Sequence, residues 1–375
     1  MLSPNPLSLL CALLLCLPLA VIFTTTANHK HATTANPIHV ILNKPNPNLK
    51  NISISEKPNN KLQQPASPPP PDDDDLLLFR VATQVSAKPT WPKKIAFMFL
   101  TTTPLPFAPL WEIYFNQTHT KLFNVYVHAD PTFSYHPPFS GVFSNRVILS
   151  KRTQRFSPTL VAAARRLLAN ALIHDPSNSV FVLLSPSCIP LHSFNFTYHA
   201  LVHSGKSFIE ILANETGSYD RWAARGPHAM LPEVKLEEFR IGSQFWALTR
   251  QHARLVVSDS TLWPKFNVPC VQRDTCYPDE NYFPTLLNMR MRDPEECVPA
   301  TLTHVNWTGR VDGHPRTYEA WEVEPELILR MKSDMPRYGD GNGNRRRDPF
   351  LFARKFAADA LQPLMRIAND VVLRD

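Results

Sequence analysis

The chain has 375 residues, of which 43% are hydrophobic and 10% aromatic, so it can bury a substantial core in one large or two small domains. Its formal charge is +7, but the basic residues form neither the dense stripes nor the reading module of a nucleic-acid-binding protein. We therefore expect no nucleic-acid partner. The excess of positive charge is compatible with a pocket for an anionic ligand or with an ordinary solvated surface.

Residues 7–23 are apolar and uncharged, close to the shortest length that spans a bilayer as a helix. We predict a transmembrane signal anchor, with residues 1–6 as a short cytoplasmic tail. A cleaved signal sequence is the alternative, because residues 25–27 fit a cleavage site. An uncleaved anchor makes the chain a single-pass type II membrane protein.

Residues 24–90 are rich in Pro, Asn, Thr and Lys, with a proline run at 68–71 and four aspartates at 72–75. Such a composition buries too little apolar area to offset the entropy of ordering. The sequence predicts a disordered, Pro-rich lumenal stem here, in which short apolar patches such as residues 76–79 could dock on the domain, and a folded domain over residues 91–375.

Five N-glycosylation sequons agree with a secretory route; they begin at Asn51, Asn116, Asn195, Asn214 and Asn306. Four cysteines fall in the predicted domain, namely Cys188, Cys270, Cys276 and Cys297. The absence of a CxxC pair disfavours zinc and favours disulfides in an oxidising lumen, although the pairing stays open.

Short apolar runs at 94–100, 123–127 and 180–184 predict strands that are buried on both faces. Helical patterns at 107–115 and 158–173 separate these runs. This alternation predicts an α/β domain with a mostly parallel central sheet.

His128 and Asp130 directly follow the second apolar run. Ligands bind beyond the carboxyl ends of strands in parallel sheets, so both residues are candidates for a binding site. A structural histidine and a turn-capping aspartate are the alternatives. The sequence contains no GxGxxG and no P-loop, which argues against a dinucleotide enzyme or a kinase.

Seven phrases in order resemble one family of enzymes; they lie at 125–130, 164–172, 181–190, 242–250, 276–289, 304–307 and 350–356. Together they resemble the core-2/I-branching β-1,6-N-acetylglucosaminyltransferases, glycosyltransferase family 14, and especially its plant members. The resemblance extends from about residue 91 to the end of the chain.

This resemblance implies a GT-A-like fold in the Golgi lumen and an inverting transfer without a metal ion or other cofactor. The implied partners are a UDP-sugar donor, with UDP-N-acetylglucosamine as the first guess, and a glycan or glycoprotein acceptor. Ala164, Pro186 and Asn281 depart from the family pattern. They leave open a non-catalytic glycan-binding protein of the same fold.

Glu280 matches the general base of the family, because it lies in a Pro-Asp-Glu motif that the family shares and that is intact in this chain. A helix is expected from about Pro284, and the amide groups at a helix start favour an ionised carboxylate. Acidic residues also collect at helix starts for stability alone, so position by itself does not identify a base. We expect Asp279 to orient the neighbouring backbone or the acceptor and not to take the proton. A glycosidase that uses one of these carboxylates with another is a further alternative.

Residues 91–375 contain no DxD motif, so cationic side chains are expected to stabilise the leaving diphosphate. Lys355 matches the diphosphate lysine of the family, with Arg330 and Lys332 as candidates for a second cation. Trp307 could stack on an acceptor sugar or belong to the core. The family context places His128 and Asp130 near the nucleotide base and ribose of the donor.

Overall fold

A computed structural model of the chain describes residues 73–118, 122–309, 314–341 and 346–375. The predicted anchor at 7–23 and the sequon at Asn51 lie outside these ranges. Within them, no helix is both long and apolar enough to cross a membrane.

A six-stranded sheet has the order β2-β1-β3-β6-β5-β7, and a second, three-stranded sheet has the order β4-β9-β8. The strands are β1 (Lys94–Thr101), β2 (Phe123–Ala129), β3 (Asn178–Leu184), β4 (Ile189–Pro190), β5 (Ser207–Phe208), β6 (Ala247–Thr249), β7 (Cys297–Val298), β8 (Thr303–His304) and β9 (Phe352–Ala353). In the large sheet, β1 pairs in parallel with β2 and β3, and β5 with β7, whereas β6 is antiparallel to both of its neighbours. The mainly parallel sheet that the sequence predicts is therefore confirmed.

The α-helices are α1 (Asp73–Gln84), α2 (Ala108–Asn116), α3 (Thr159–His174), α4 (Phe194–Tyr198), α5 (Ser218–Ala223), α6 (Arg250–Ser258), α7 (Trp263–Phe266), α8 (Pro278–Arg290), α9 (Pro325–Ser333) and α10 (Leu361–Arg366). The predicted helices at 107–115 and 158–173 correspond to α2 and α3.

Strand β1 is buried on both faces because its side chains alternate between two apolar layers. Ile95, Phe97 and Phe99 belong to the layer that contains α2, whereas Ala96 and Met98 belong to the layer that contains α3. The period of two along a strand distributes these residues to opposite sides of the sheet. A continuous apolar run is therefore what this central position requires.

The predicted stem at 24–90 is wrong in its last part, where α1 is a helix that packs on α3 and α6. Ala82 is fully buried there, and Arg250 donates to the carbonyl of Ser86. The apolar residues of α1 have their partners in helices that lie far along the chain. Local composition therefore indicated only that the apolar residues 76–79 could dock on the domain, as Leu78 and Phe79 do, and not that they belong to a helix.

The predicted start of a helix near Pro284 is also wrong, because α8 begins at Pro278. Pro284 lies inside the helix and has no N–H to donate to the carbonyl of Glu280. That carbonyl accepts instead from the N–H of Gly242, at 2.9 Å. A contact outside the helix thus compensates for the internal proline.

Candidate active site

A cleft of about 1140 Å³ opens at the carboxyl ends of β1 and β3. Thr101 and Thr102 at the end of β1, and Ser185 and Pro186 after β3, line it. The start of α8 and the segments that follow β8 and β9 also contribute to its lining. The cleft lies where a parallel sheet is expected to bind ligands.

Glu280 lies in the first turn of α8 and lines the cleft. Its Oε2 accepts from Nη1 of Arg221 at 2.7 Å, and the guanidinium of Arg221 lies 4.4 Å from the centre of the Tyr277 ring. Because the backbone carbonyl of Glu280 is held by Gly242, both ends of the residue are fixed. The carboxylate therefore has a defined direction in the cleft.

Three further carboxyl groups line the cleft with Glu280, namely Asp279, Glu210 and Glu215. Burial raises the pKa of Asp279 to about 7, and the charge of Glu280 adds to the effect. Burial also raises the pKa of Glu210 to about 7, although Arg337 and a hydrogen bond from the backbone of Ser243 oppose the shift. Glu210 was not predicted from the sequence, because a lone glutamate after a short strand carries no local signal.

A close approach of two segments fixes the spacing of these carboxyl groups. A Cβ added at Gly242 would lie 2.0 Å from the backbone oxygen of Glu210, so only glycine fits without a shift of the backbone. Gly242 also bonds to Glu280, and thus joins the segment after β5 to the start of α8.

His128 and Asp130 support the cleft from behind and are not among the described residues that line it. Nε2 of His128 accepts from the N–H of Lys151, and burial lowers the pKa of this histidine to about 4. The carboxylate of Asp130 accepts hydrogen bonds from the backbone and side chain of both Thr132 and Thr153. Burial opposes ionisation of Asp130, but these bonds outweigh it and lower its pKa to about 2. These contacts fit the structural histidine and the turn-capping aspartate that the sequence left as alternatives, and contacts with a base and ribose stay a prediction.

Lys355 and Arg354 bring positive charge to the cleft directly after β9. The guanidinium of Arg354 lies 4.5 Å from the centre of the Phe245 ring. Arg337 also lines the cleft and pairs with Glu215 at 2.8 Å. The sequence indicated Lys355 but not Arg337, which lies in a stretch that the resemblance leaves loosely aligned.

Arg330 and Lys332 lie on α9 and are not among the described residues that line the cleft. Lys332 donates to the carbonyl of Val371 at 2.7 Å and to that of Arg374, and so fastens the C-terminal segment. Arg330 is exposed on the surface of the helix. Neither residue is thus among the cations that the structure brings to this cleft, and their contact with a donor stays a prediction.

Trp307 lines the cleft with 49% of its surface exposed, so it is not a core residue. The side-chain amide of the neighbouring Asn306 donates to the hydroxyl of Tyr318 at 3.2 Å. Both residues follow β8, which pairs with β9 and brings Trp307 into the same cleft as Lys355.

The other sequons in the described ranges have exposed asparagines at Asn116, Asn195 and Asn214. Cys270 and Cys276 form a disulfide, whereas Cys188 and Cys297 are buried free thiols. No group of three or more His, Cys, Asp or Glu side chains in the described part of the chain could hold a metal ion.

The chain matches the model of the Core-2/I-Branching enzyme family over residues 95–332. It is also similar to "Glycosyltransferase BC10" of Oryza sativa subsp. japonica, with 32% identity over 319 residues. That alignment covers 75% of this chain and 78% of the rice protein. The chain therefore belongs to the core-2/I-branching enzymes, glycosyltransferase family 14, and is a glycosyltransferase.

Proposed function

We propose that the chain transfers a sugar from a UDP-sugar to a glycan hydroxyl with inversion at the anomeric carbon, with Glu280 as general base. The observation that carries this proposal is the cleft itself. It combines a carboxylate fixed at the start of α8, a cationic side at Arg354 and Lys355, and a half-exposed Trp307.

In this mechanism, the carboxylate of Glu280 takes the proton of the acceptor hydroxyl. The acceptor oxygen bonds to the anomeric carbon on the face opposite the nucleotide, and the bond from that carbon to the diphosphate oxygen breaks. The electron pair of this bond leaves with the diphosphate. Lys355 and Arg354 stabilise the negative charge that develops there, without a metal ion.

UDP-N-acetylglucosamine is the first donor to test, and the acceptor is a glycan or glycoprotein that packs a sugar ring on Trp307. We further propose that the enzyme is a type II protein of the Golgi membrane with its catalytic domain in the lumen. The disulfide between Cys270 and Cys276 and the exposed sequon asparagines support an oxidising, lumenal setting.

A comparison of Glu280→Gln with Asp279→Asn tests the assignment of the base. Glutamine keeps the shape of Glu280 but not its basicity, so transfer should fall by about 10²- to 10⁴-fold while donor affinity is nearly unchanged. Asp279→Asn should affect the KM for the acceptor more than turnover. Release of UDP reports the rate, and NMR of the product reports the anomeric configuration.

If Glu280→Gln turned over at the wild-type rate and Asp279→Asn did not, the two roles would be reversed. Retention of configuration would reject the inverting mechanism. Failure of the wild-type chain to release UDP with any UDP-sugar and glycan acceptor would reject the proposed donor class.

A further inference from the structure

The side chain of Asp75 on helix α1 contacts two residues, Arg166 and Lys151, of which Lys151 directly precedes a segment that lines the cleft. The two carboxylate oxygens of Asp75 accept from Nε and Nη2 of Arg166 on α3, at 2.7 and 2.5 Å. Nζ of Lys151 lies 3.4 Å from the same carboxylate. All three side chains are at most one-quarter exposed, so water screens these ion pairs only in part.

Lys151 begins the segment 151–156, of which residues 152–156 line the cleft. Two further contacts hold this segment from the end of β2. The backbone N–H of Lys151 donates to His128, and both the N–H and the hydroxyl of Thr153 donate to Asp130. Asp75 thus adds a contact to this segment from a different element, helix α1.

The far end of the same segment contacts the residue that precedes α8. The ring of Phe156 packs edge-on against Tyr277, with centroids 5.4 Å apart, and Tyr277 lies under the guanidinium that binds Glu280. Displacement of segment 151–156 would therefore change one wall of the cleft and the surroundings of the base together.

We infer that Asp75 is a positioning residue of the active site: it holds segment 151–156 in place through Lys151, so that α1 is part of the donor-binding architecture. Helix α1 lies before residue 95, where the match to the family begins. The inference rests on the proposed function in one respect, since it takes a UDP-sugar as the ligand of this cleft.

The test compares Asp75→Asn, Lys151→Met and Arg80→Gln in the full chain, with UDP as the probe. Lys151→Met leaves the pair of Asp75 with the largely buried Arg166 intact, so it remains informative if Asp75→Asn proves unstable. Its decisive measurement is the hydrogen exchange of segment 151–156, because the loss of its positive charge would by itself weaken UDP binding. Arg80 is an exposed residue of α1 and provides the matched control. Calorimetry gives the affinity for UDP, and hydrogen exchange reports the protection of segment 151–156.

Loss of positioning and a simple change of charge predict opposite results for Asp75→Asn. Removal of a negative charge near an anion site would strengthen UDP binding. Loss of positioning would weaken it, as displacements of the order of an ångström do in active sites. We expect Asp75→Asn and Lys151→Met each to weaken UDP binding on the order of tenfold. Exchange should accelerate in segment 151–156, and Arg80→Gln should match the wild type.

Wild-type UDP affinity in both variants, tighter binding in Asp75→Asn, or exchange that rises equally throughout the domain would overturn the inference. If the wild-type chain did not bind UDP but segment 151–156 lost protection in both variants, the proposed donor would be wrong. The positioning of the segment by Asp75 would then still stand.

Discussion

Lys355 is the residue whose charge the proposed mechanism requires most directly at the leaving group. Lys355→Ala should slow transfer and weaken donor binding, by about 10²- to 10³-fold if the ammonium stabilises the departing diphosphate. Arg330→Ala is the matched control, because Arg330 is an exposed cation on α9 and is not among the described residues that line the cleft. Release of UDP and calorimetry with UDP measure the two effects.

Wild-type rates in Lys355→Ala, with circular dichroism showing an intact fold, would exclude the assignment. An equal loss in Arg330→Ala would mean that α9 contacts the donor after all, as the sequence had suggested.

At the scale of single residues, the sequence located two polar residues correctly but could not choose between a structural role and a role in binding. His128 and Asp130 were correctly located at the carboxyl end of a strand, but their side chains bond to backbone and threonine groups behind the cleft. The sequence does not distinguish a polar residue that follows a strand and faces a ligand from one that follows a strand and faces a loop. The threonines that satisfy Asp130 identify its role, and one of them lies on the distant segment 151–156.

At the scale of elements, Gly242 is the point where the segment after β5 meets the start of α8. Gly242→Ala would place a methyl group 2.0 Å from the carbonyl oxygen of Glu210, and a backbone atom cannot move aside as a flexible side chain can. We expect a loss of stability of about 1–3 kcal/mol, as for overpacking. Transfer should also slow, because the hydrogen bond from Gly242 to Glu280 is displaced.

Thermal unfolding and the rate of UDP release measure these two effects of Gly242→Ala. Gly341→Ala is a suitable control, since a Cβ there would meet no described atom within 4 Å. Unchanged stability and turnover in Gly242→Ala would show that the two segments can separate without harm.

Strands β1, β2 and β3 and the helices α2 and α3 could be predicted because their apolar patterns are local and match the way each element is buried. Helix α1 and the start of α8 could not be predicted from the sequence. Burial of α1 depends on α3 and α6, and the position of Pro284 inside α8 depends on a hydrogen bond between Gly242 and Glu280. In both cases a contact between remote segments determines the structure.

At the scale of the whole molecule, the cleft draws together residues that are remote in sequence. Glu210, Glu280 and Lys355 come from three separate segments and line one cavity. The sequence identified Glu280 and Lys355 because each lies in a short motif that resembles a known family. It could not identify Glu210, whose proximity to the other two exists only in the fold.

The charges of the cleft also bear on whether transfer needs a metal ion. The carboxylate of Glu280 is paired with Arg221. Arg354 and Lys355 line the same cleft, where the proposed mechanism uses them to neutralise the diphosphate.

We accordingly expect transfer by the full chain to survive EDTA, with added Mn²⁺ changing the rate by less than about twofold, since a cationic side chain can supply the charge that a metal would. Each UDP-release assay should be run at fixed pH and ionic strength, because chelators alter both. A glycosyltransferase with a DxD site, assayed in the same buffer, controls for complete chelation. Abolition of transfer by EDTA and its recovery with Mn²⁺ would show that the cations of the cleft do not suffice, and the mechanism would then need a metal ion at the diphosphate.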